Sequence, residues 1–247
     1  MKDISLSERV ARERSHGKLF MDSGTSIWCW NTPAGRIRKK RRCDFLTQPF
    51  NGNSGVTSPK ALEVGCGDGS FSGVLAAAFN DLTCLDVSDT LLDAARQLHP
   101  EVTFVNADIH QTAFPDASFD LIVGCSVLHH LDWNIALKEM FRILKPGGEL
   151  RFSEPNMLNP QVFLQKNWPW LKKRLGDSPD ETAFTPHQIA TSLEKAGFTG
   201  IVSEPYEFLH PGISKNFIGL LIRVETLLEK TPARWIAGSI RIKATRK

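Results

Sequence analysis

No apolar run in the chain approaches the roughly 18 residues needed to cross a bilayer; the best are short stretches such as Phe217 to Ile222. The start, Met1-Lys2-Asp3 followed by Glu8-Arg9 and Arg12-Glu13-Arg14, lacks the apolar core of a secretory leader. A cytoplasmic protein is expected, at most peripheral to a membrane. The five cysteines, Cys29, Cys43, Cys66, Cys84 and Cys125, are odd in number and widely spaced, with no C-x-x-C and no Cys/His cluster at zinc spacing. They read as reduced, mostly buried thiols, and no metal is expected. Internal repeats, long low-complexity tracts and the patterns of RRM, KH or helix-turn-helix modules are absent too, so nucleic acid is not an expected partner.

What is present is an ordinary globular composition, 41% hydrophobic and 23% charged over 247 residues, enough for one large domain or a domain with substantial insertions. The net charge of +3 hides an asymmetry: +7 over residues 1–60, −10 over 61–214 and +6 over 215–247. The densest basic run, Arg36 to Arg42, reads either as a solvated helix face or as a patch steering phosphates, anionic headgroups or nucleic acid.

Turn formers crowd residues 50–60 and separate an N-terminal helical lid, 1–59, from a main domain, 60–247. From Lys60 onward, short apolar runs recur as strands at 61–64, 82–87, 102–105, 119–124 and 149–153. Helical stretches at 70–79, 89–98 and 133–144 lie between them, the second capped by Ser88 or Asp89. Such alternation predicts a parallel sheet with helices on both faces. A helix over 186–196 with Pro near its start and Gly just beyond its end follows, then strands near 200–204 and 239–245. Two segments, about 155–185 and 208–238, are too long for simple connections and read as substrate-side insertions.

The chemistry concentrates at strand ends. Leu62 to Ser70 places Gly65, Gly67 and Gly69 where the first strand turns into a helix, allowing tight turning and close backbone approach to a ligand. Asp86 ends the second strand 19 residues after Gly67, where a carboxylate can accept from both ribose hydroxyls, and Asp108 ends the third. Acids at the carboxyl ends of adjacent parallel strands converge on the crevice where open α/β sheets bind ligands.

On these residues, with Leu85-Asp86-Val87-Ser88, Ala107-Asp108, Phe114 to Val123, Val127 to Leu131 and Arg142 to Gly148, the chain resembles the class I S-adenosylmethionine-dependent methyltransferases, particularly their small-molecule type 11 branch. The resemblance is close over Lys60 to Gly148 and looser beyond. It implies a doubly wound α/β fold, a mostly parallel seven-stranded sheet with helices on both faces and an antiparallel final strand. It also implies S-adenosylmethionine as cofactor. Gly65, Cys66, Gly67 and Gly69 would then pack against its methionine and ribose, with Glu63 near the amino end and Asp86 on the ribose. Asp108 would accept from the adenine amine, Val87 and Ile109 would flank the ring, and Cys125 would lie near the methionine. A nicotinamide-dependent dehydrogenase is disfavoured by the glycine spacing and the Lys145-Pro146-Gly147-Gly148 turn.

Methyl transfer to a hydroxyl needs an in-line acceptor and a proton acceptor within hydrogen-bond reach. His129, His130 and Glu154 are the expected catalytic candidates, His129 and His130 reading equally as a helix cap or as packing under the cofactor. Asn156, Trp168 and Phe184 are the expected substrate contacts, with His16, Phe20 and Trp28 contributing to a lid. Phe217 to Leu228 combines apolar residues with Lys215 and Arg223, suiting an anionic membrane surface, although apolar positions on several faces favour core packing. The expected acceptor is a small molecule methylated on oxygen: a sugar, lipid-linked glycan or secondary metabolite. The alternative is a non-catalytic cofactor-binding module that docks a membrane or protein partner.

Overall fold

The apolar runs of the main domain form a seven-stranded sheet, in a computed structural model that describes residues 5–22, 29–50, 58–178 and 181–247. Its strands are β1 (Lys60–Val64), β2 (Asp81–Asp86), β3 (Thr103–Asn106), β4 (Phe119–Cys125), β5 (Leu144–Pro155), β6 (Phe198–Tyr206) and β7 (Ser239–Arg246). They lie in the order β3-β2-β1-β4-β5-β7-β6. All neighbours from β3 to β5 pair in parallel, while β7 runs antiparallel to both β5 and β6, as expected. Because β1 sits between β2 and β4, the chain reverses its direction of winding there, and the crevice opens at the carboxyl ends of those strands. β4 is buried along almost its whole length, as a strand covered on both faces must be.

The helices end where local chemistry dictates. In α4 (Asp89–Leu98), the Ser88 hydroxyl caps the start and Leu91, Leu92 and Ala95 form the buried stripe. The Asp132 carboxylate caps α5 (Trp133–Ile143) by accepting from the amides of Asn134 and Ile135. α8 (Pro186–Lys195) opens on a reciprocal Thr185/Gln188 capping box, and Gly197 lies beyond it at φ +100°, a conformation that only glycine adopts without strain.

One face of the sheet buries Leu62, Val64, Ile122 and Phe152 against α5 and α8. The other buries Ala61, Leu121 and Val123 against α3 (Ser72–Ala78), α4 and α2 (Pro33–Leu46), to which α2 contributes Cys43, Phe45 and Leu46. The fully buried Arg151 guanidinium fastens the segment after α2, donating to the carbonyls of Leu46, Gln48 and Pro49 while paired with Glu149. α2 therefore shares the main core, although it precedes the turn-rich segment 50–60.

The first insertion folds as α6 (Pro160–Asn167) and α7 (Pro169–Arg174). The second contains α9 (Lys215–Leu228) and a 3-10 turn, Pro232–Ile236. α1 (Leu6–Asp22) packs on α4 so closely that a Cβ on Gly17 would lie 2.7 Å from the Ser88 hydroxyl.

Candidate active site

The glycine loop closes on itself through its amides. Gly65 and Cys66 both donate to the Leu85 carbonyl, at 2.8 and 3.1 Å, and Gly67 donates to Asp86 Oδ2 at 2.9 Å. Gly65 sits at φ +68°, and a Cβ there would approach Val127 Cγ2 to 2.3 Å. Asp86 is held from its other side by the Ser88 amide, 2.9 Å from Oδ1. Burial pushes its carboxyl above the usual range, against the pull of those amides. Asp108 behaves oppositely: bonds from the amide and ring of His110 outweigh desolvation and hold it low.

Three of the expected cofactor contacts lie deep in the fold. Glu63 is buried beneath the start of α3, accepting from Ser72 Oγ at 2.6 Å and Cys84 Sγ at 3.1 Å. Desolvation raises it to about 7 despite both bonds. Cys66 turns its thiol into the core on the α3 face, and burial raises it well above its ordinary value. Ile109 is sealed in the opposite core layer, whereas Val87 stays half-buried, its carbonyl accepting from Arg14 Nε at 3.1 Å.

Past β4 the chain enters a 3-10 turn, Leu128–His130, where the expected catalytic trio forms a different device. Glu154 is fully buried; Oε1 accepts from the amides of Val127 and Leu128, and Oε2 lies 2.7 Å from His129 Nδ1. His129 Nε2 faces Glu181 Oε1 at 3.2 Å. His130 Nδ1 faces Glu13 Oε2 on α1 at 3.1 Å and Glu181 Oε2 at 3.9 Å. Burial disfavours its charge, but Glu181 and Glu13 prevail and raise it to about 9. Through Glu13, His130 links the turn after β4 to α1. Glu154 orients His129 from the other side of that turn.

α1 crosses this region with Arg14 on Val87, Arg9 donating to the His130 carbonyl and Glu13 accepting from the Ser178 hydroxyl at 2.6 Å. Trp28 and the side chains of His16 and Phe20 lie outside the described residues.

The three expected substrate contacts differ in exposure. Asn156 is fully buried and donates to the carbonyls of Trp235 and Ala237, pinning the first insertion to the second. Phe184 lies in the core, edge-on to Trp133 at 5.3 Å. Trp168, at 56% exposure, faces solvent.

The side groups missed by the sequence reading lie where β4, β5, β6 and β7 meet α2. Arg42, 3% exposed, reaches Ser126 Oγ at 3.0 Å and Cys125 Sγ at 3.4 Å with one amino group. The other meets Glu207 Oε2 and Ser239 Oγ, each at 2.9 Å. Arg38 also pairs with Glu207, the Trp30 ring lies 5.1 Å from the Arg42 guanidinium, and the hydroxyls of Ser153 and Tyr206 bond beside them. Ser126 and Glu207 adopt φ +56° and +69°, left-handed values that cost a non-glycine residue about 1–3 kcal/mol. Arg42 Nε and Glu207 Oε1 are buried with no hydrogen-bond partner among the described residues. The basic run divides between a buried and a solvated side: Arg38 and Arg42 pair with Glu207 and Arg41 with Glu225, while Arg36 and the Lys40–Asp44 pair are exposed. The signal available in the sequence was the i, i+3, i+4 spacing of residues 38, 41 and 42, which puts them on one helix face.

Residues 62–152, which hold the glycine loop, both strand-end acids and β4–β5, match the family model described as a methyltransferase domain. Over those residues the chain is similar to S-adenosylmethionine-dependent methyltransferases. Over 95 residues it is 41% identical to a malonyl-[acyl-carrier protein] O-methyltransferase of Erwinia billingiae, a match covering 38% of each chain. Over 185 residues it is 27% identical to a demethylmenaquinone methyltransferase of Anoxybacillus flavithermus, covering 65% of this chain and 77% of that one. A SAM-dependent methyltransferase structure from Thermotoga maritima superposes with TM-score 0.67 over 95% of this chain and 99% of the other; at 18% identity that likeness establishes the fold alone. The cofactor of such domains, S-adenosylmethionine, fits the residues present: a loop turned by Gly65, Gly67 and Gly69 at positive φ, and two carboxylates at adjacent strand ends of the crevice.

Proposed function

We propose that the methyltransferase acts on a hydroxyl oxygen of a sugar, lipid-linked glycan or secondary metabolite. The observation that carries this reading is the buried pair Arg42 Nε and Glu207 Oε1, an unmet donor and an unmet acceptor in the network that reaches Cys125 and Ser126. Each unmet buried group costs about 1–3 kcal/mol, and a hydroxyl, which both accepts and donates, answers the two together. An O-methyltransferase among the relatives agrees with the choice of oxygen.

When bound, the cofactor supplies an electrophilic methyl carbon. Asp86 would hold its ribose, Asp108 its adenine, and the backbone of Gly65 to Gly69 the methionine side. Glu207 is held below the usual carboxylate range because Arg42 and Arg38 outweigh its burial. It therefore stays ionised and orients an acceptor hydroxyl by accepting its proton in a hydrogen bond. α1 would keep water from the reacting atoms.

A lipid-linked acceptor is supported by the rim beside this network. α9 packs Ile218, with Leu221 and Ile222 partly buried, against Ala34 and Leu209, and leaves Phe217, Leu220 and Leu227 exposed. Trp168, Trp170 and Trp235 are exposed as well, with Arg174 and Arg234 stacked on the last two, and Lys215, Arg223 and Lys230 lie on or beside α9 in sequence. Aromatic and aliphatic groups interleaved with cations match an anionic bilayer.

The test is calorimetry of the chain with S-adenosylmethionine and S-adenosylhomocysteine, followed by an acceptor screen reading methyl incorporation. Cofactor binding with turnover of a hydroxylated acceptor, reduced at least about tenfold in Glu207→Gln, is the expected result. Binding without turnover on any glycan, lipid or metabolite acceptor would favour the non-catalytic docking module.

A further inference from the structure

The cluster that links α1 to the body has the composition of a metal centre. It draws Glu13 from α1, His129 and His130 from the turn after β4, and Glu181 from the loop before α8. One ligand atom each of His129, His130 and Glu181 lies within 4.8 Å of the others. The separations are 3.2 Å from His129 Nε2 to Glu181 Oε1, 3.9 Å from His130 Nδ1 to Glu181 Oε2 and 3.1 Å from His130 Nδ1 to Glu13 Oε2. Donors at about 2.0 Å around a tetrahedral ion sit about 3.3 Å apart, so small adjustments would close the set.

Two further observations point to a ligand. Glu154 accepts two backbone amides and is therefore a pure acceptor toward His129 Nδ1 at 2.7 Å, which places the ring proton on Nδ1 and leaves the Nε2 lone pair facing Glu181. A carboxylate fixing the far nitrogen of a histidine is the usual support of a metal ligand. His130 Nδ1, for its part, is buried and makes no well-aligned hydrogen bond despite its distance to Glu13.

The surrounding charges set the competition. Lys166 bonds Glu181 Oε1 and also Asp177 Oδ2 at 2.9 Å, Lys172 donates to the Glu181 carbonyl, and Arg9 donates to that of His130. Among the buried side chains, Glu154, Glu181 and Asp177 outnumber the one ammonium, Lys166. A divalent ion would balance that surplus, and Lys166 would keep Asp177 as its partner.

We infer that His129, His130, Glu181 and Glu13 bind a divalent transition-metal ion, of the zinc or cobalt type, that ties α1 to the methyltransferase body. Two imidazoles with carboxylates favour such borderline ions over magnesium or calcium. The inference stands apart from the choice of acceptor.

The test uses the full chain, stripped with a chelator and titrated with cobalt(II) alone while visible absorption is followed, with zinc(II) competition to rank the ions. One equivalent of cobalt with intense four-coordinate bands is expected, displaced by zinc, and weakened at least about tenfold in Glu181→Gln. The Lys166→Met variant should bind more tightly. If Glu181→Gln does not fold by circular dichroism, Glu13→Gln, on α1, serves instead with the same expected loss. Absence of bands, or equal cobalt affinity in a folded variant and the parent, would overturn the site.

Discussion

At Gly65, geometry leaves no room for a side chain. A methyl group there would meet Val127 Cγ2 at 2.3 Å on a backbone already at φ +68°, where an L-residue adds about 1–2 kcal/mol. Gly65→Ala should weaken S-adenosylmethionine binding at least about tenfold and lower the melting temperature; unchanged calorimetry would show that the loop does not approach the ligand. The glycines and Asp86 were legible in the sequence because their roles depend on backbone turning and strand ends, both local properties. Arg42 and Glu207 were not, since 165 residues separate partners that meet only after β6 and β7 assemble against α2. His130 shows the same limit: its neighbours Glu13 and Glu181 are remote in sequence.

Elements whose ends carry their own caps were readable to within a residue or so. α4 begins after the Ser88 cap and α8 between Pro186 and Gly197, because the capping groups are adjacent in sequence. The insertion helices α6 and α7 have no buried residues, so no apolar stripe announces them. α9 could be mistaken for a core helix because its apolar residues occupy several faces; which face is covered depends on what packs there. Its exposed Phe217 and Leu220 make a direct expectation. In co-sedimentation with vesicles of mixed phosphatidylcholine and phosphatidylglycerol, Phe217→Ser/Leu220→Ser/Trp235→Ser should reduce partitioning by about tenfold or more, and added salt should weaken the parent's binding. Equal partitioning of parent and variant would remove the bilayer as occupant of this surface.

For the whole molecule, Glu63 couples the core to pH. Its carboxyl is raised to about 7 from an ordinary 4.5, chiefly by burial. A raised folded-state value means that stability is fully present below about pH 4.5 and declines as pH rises to about 7, above which the loss is complete. The cost is about 3 kcal/mol. Glu63→Gln should therefore gain on the parent between those limits in urea-unfolding midpoints, and a pH-independent difference would show that Glu63 ionises freely in the fold. By itself the sequence determined the strand and helix alternation, the glycine loop and the acids at the strand ends, because hydrophobic period, caps and turns act over a few residues. Only the tertiary structure decided which charges are buried together, which aromatic residues face solvent and which histidine nitrogens remain unmet. Burial and electrostatic pairing are properties of neighbours in space, and here those neighbours come from opposite ends of the chain.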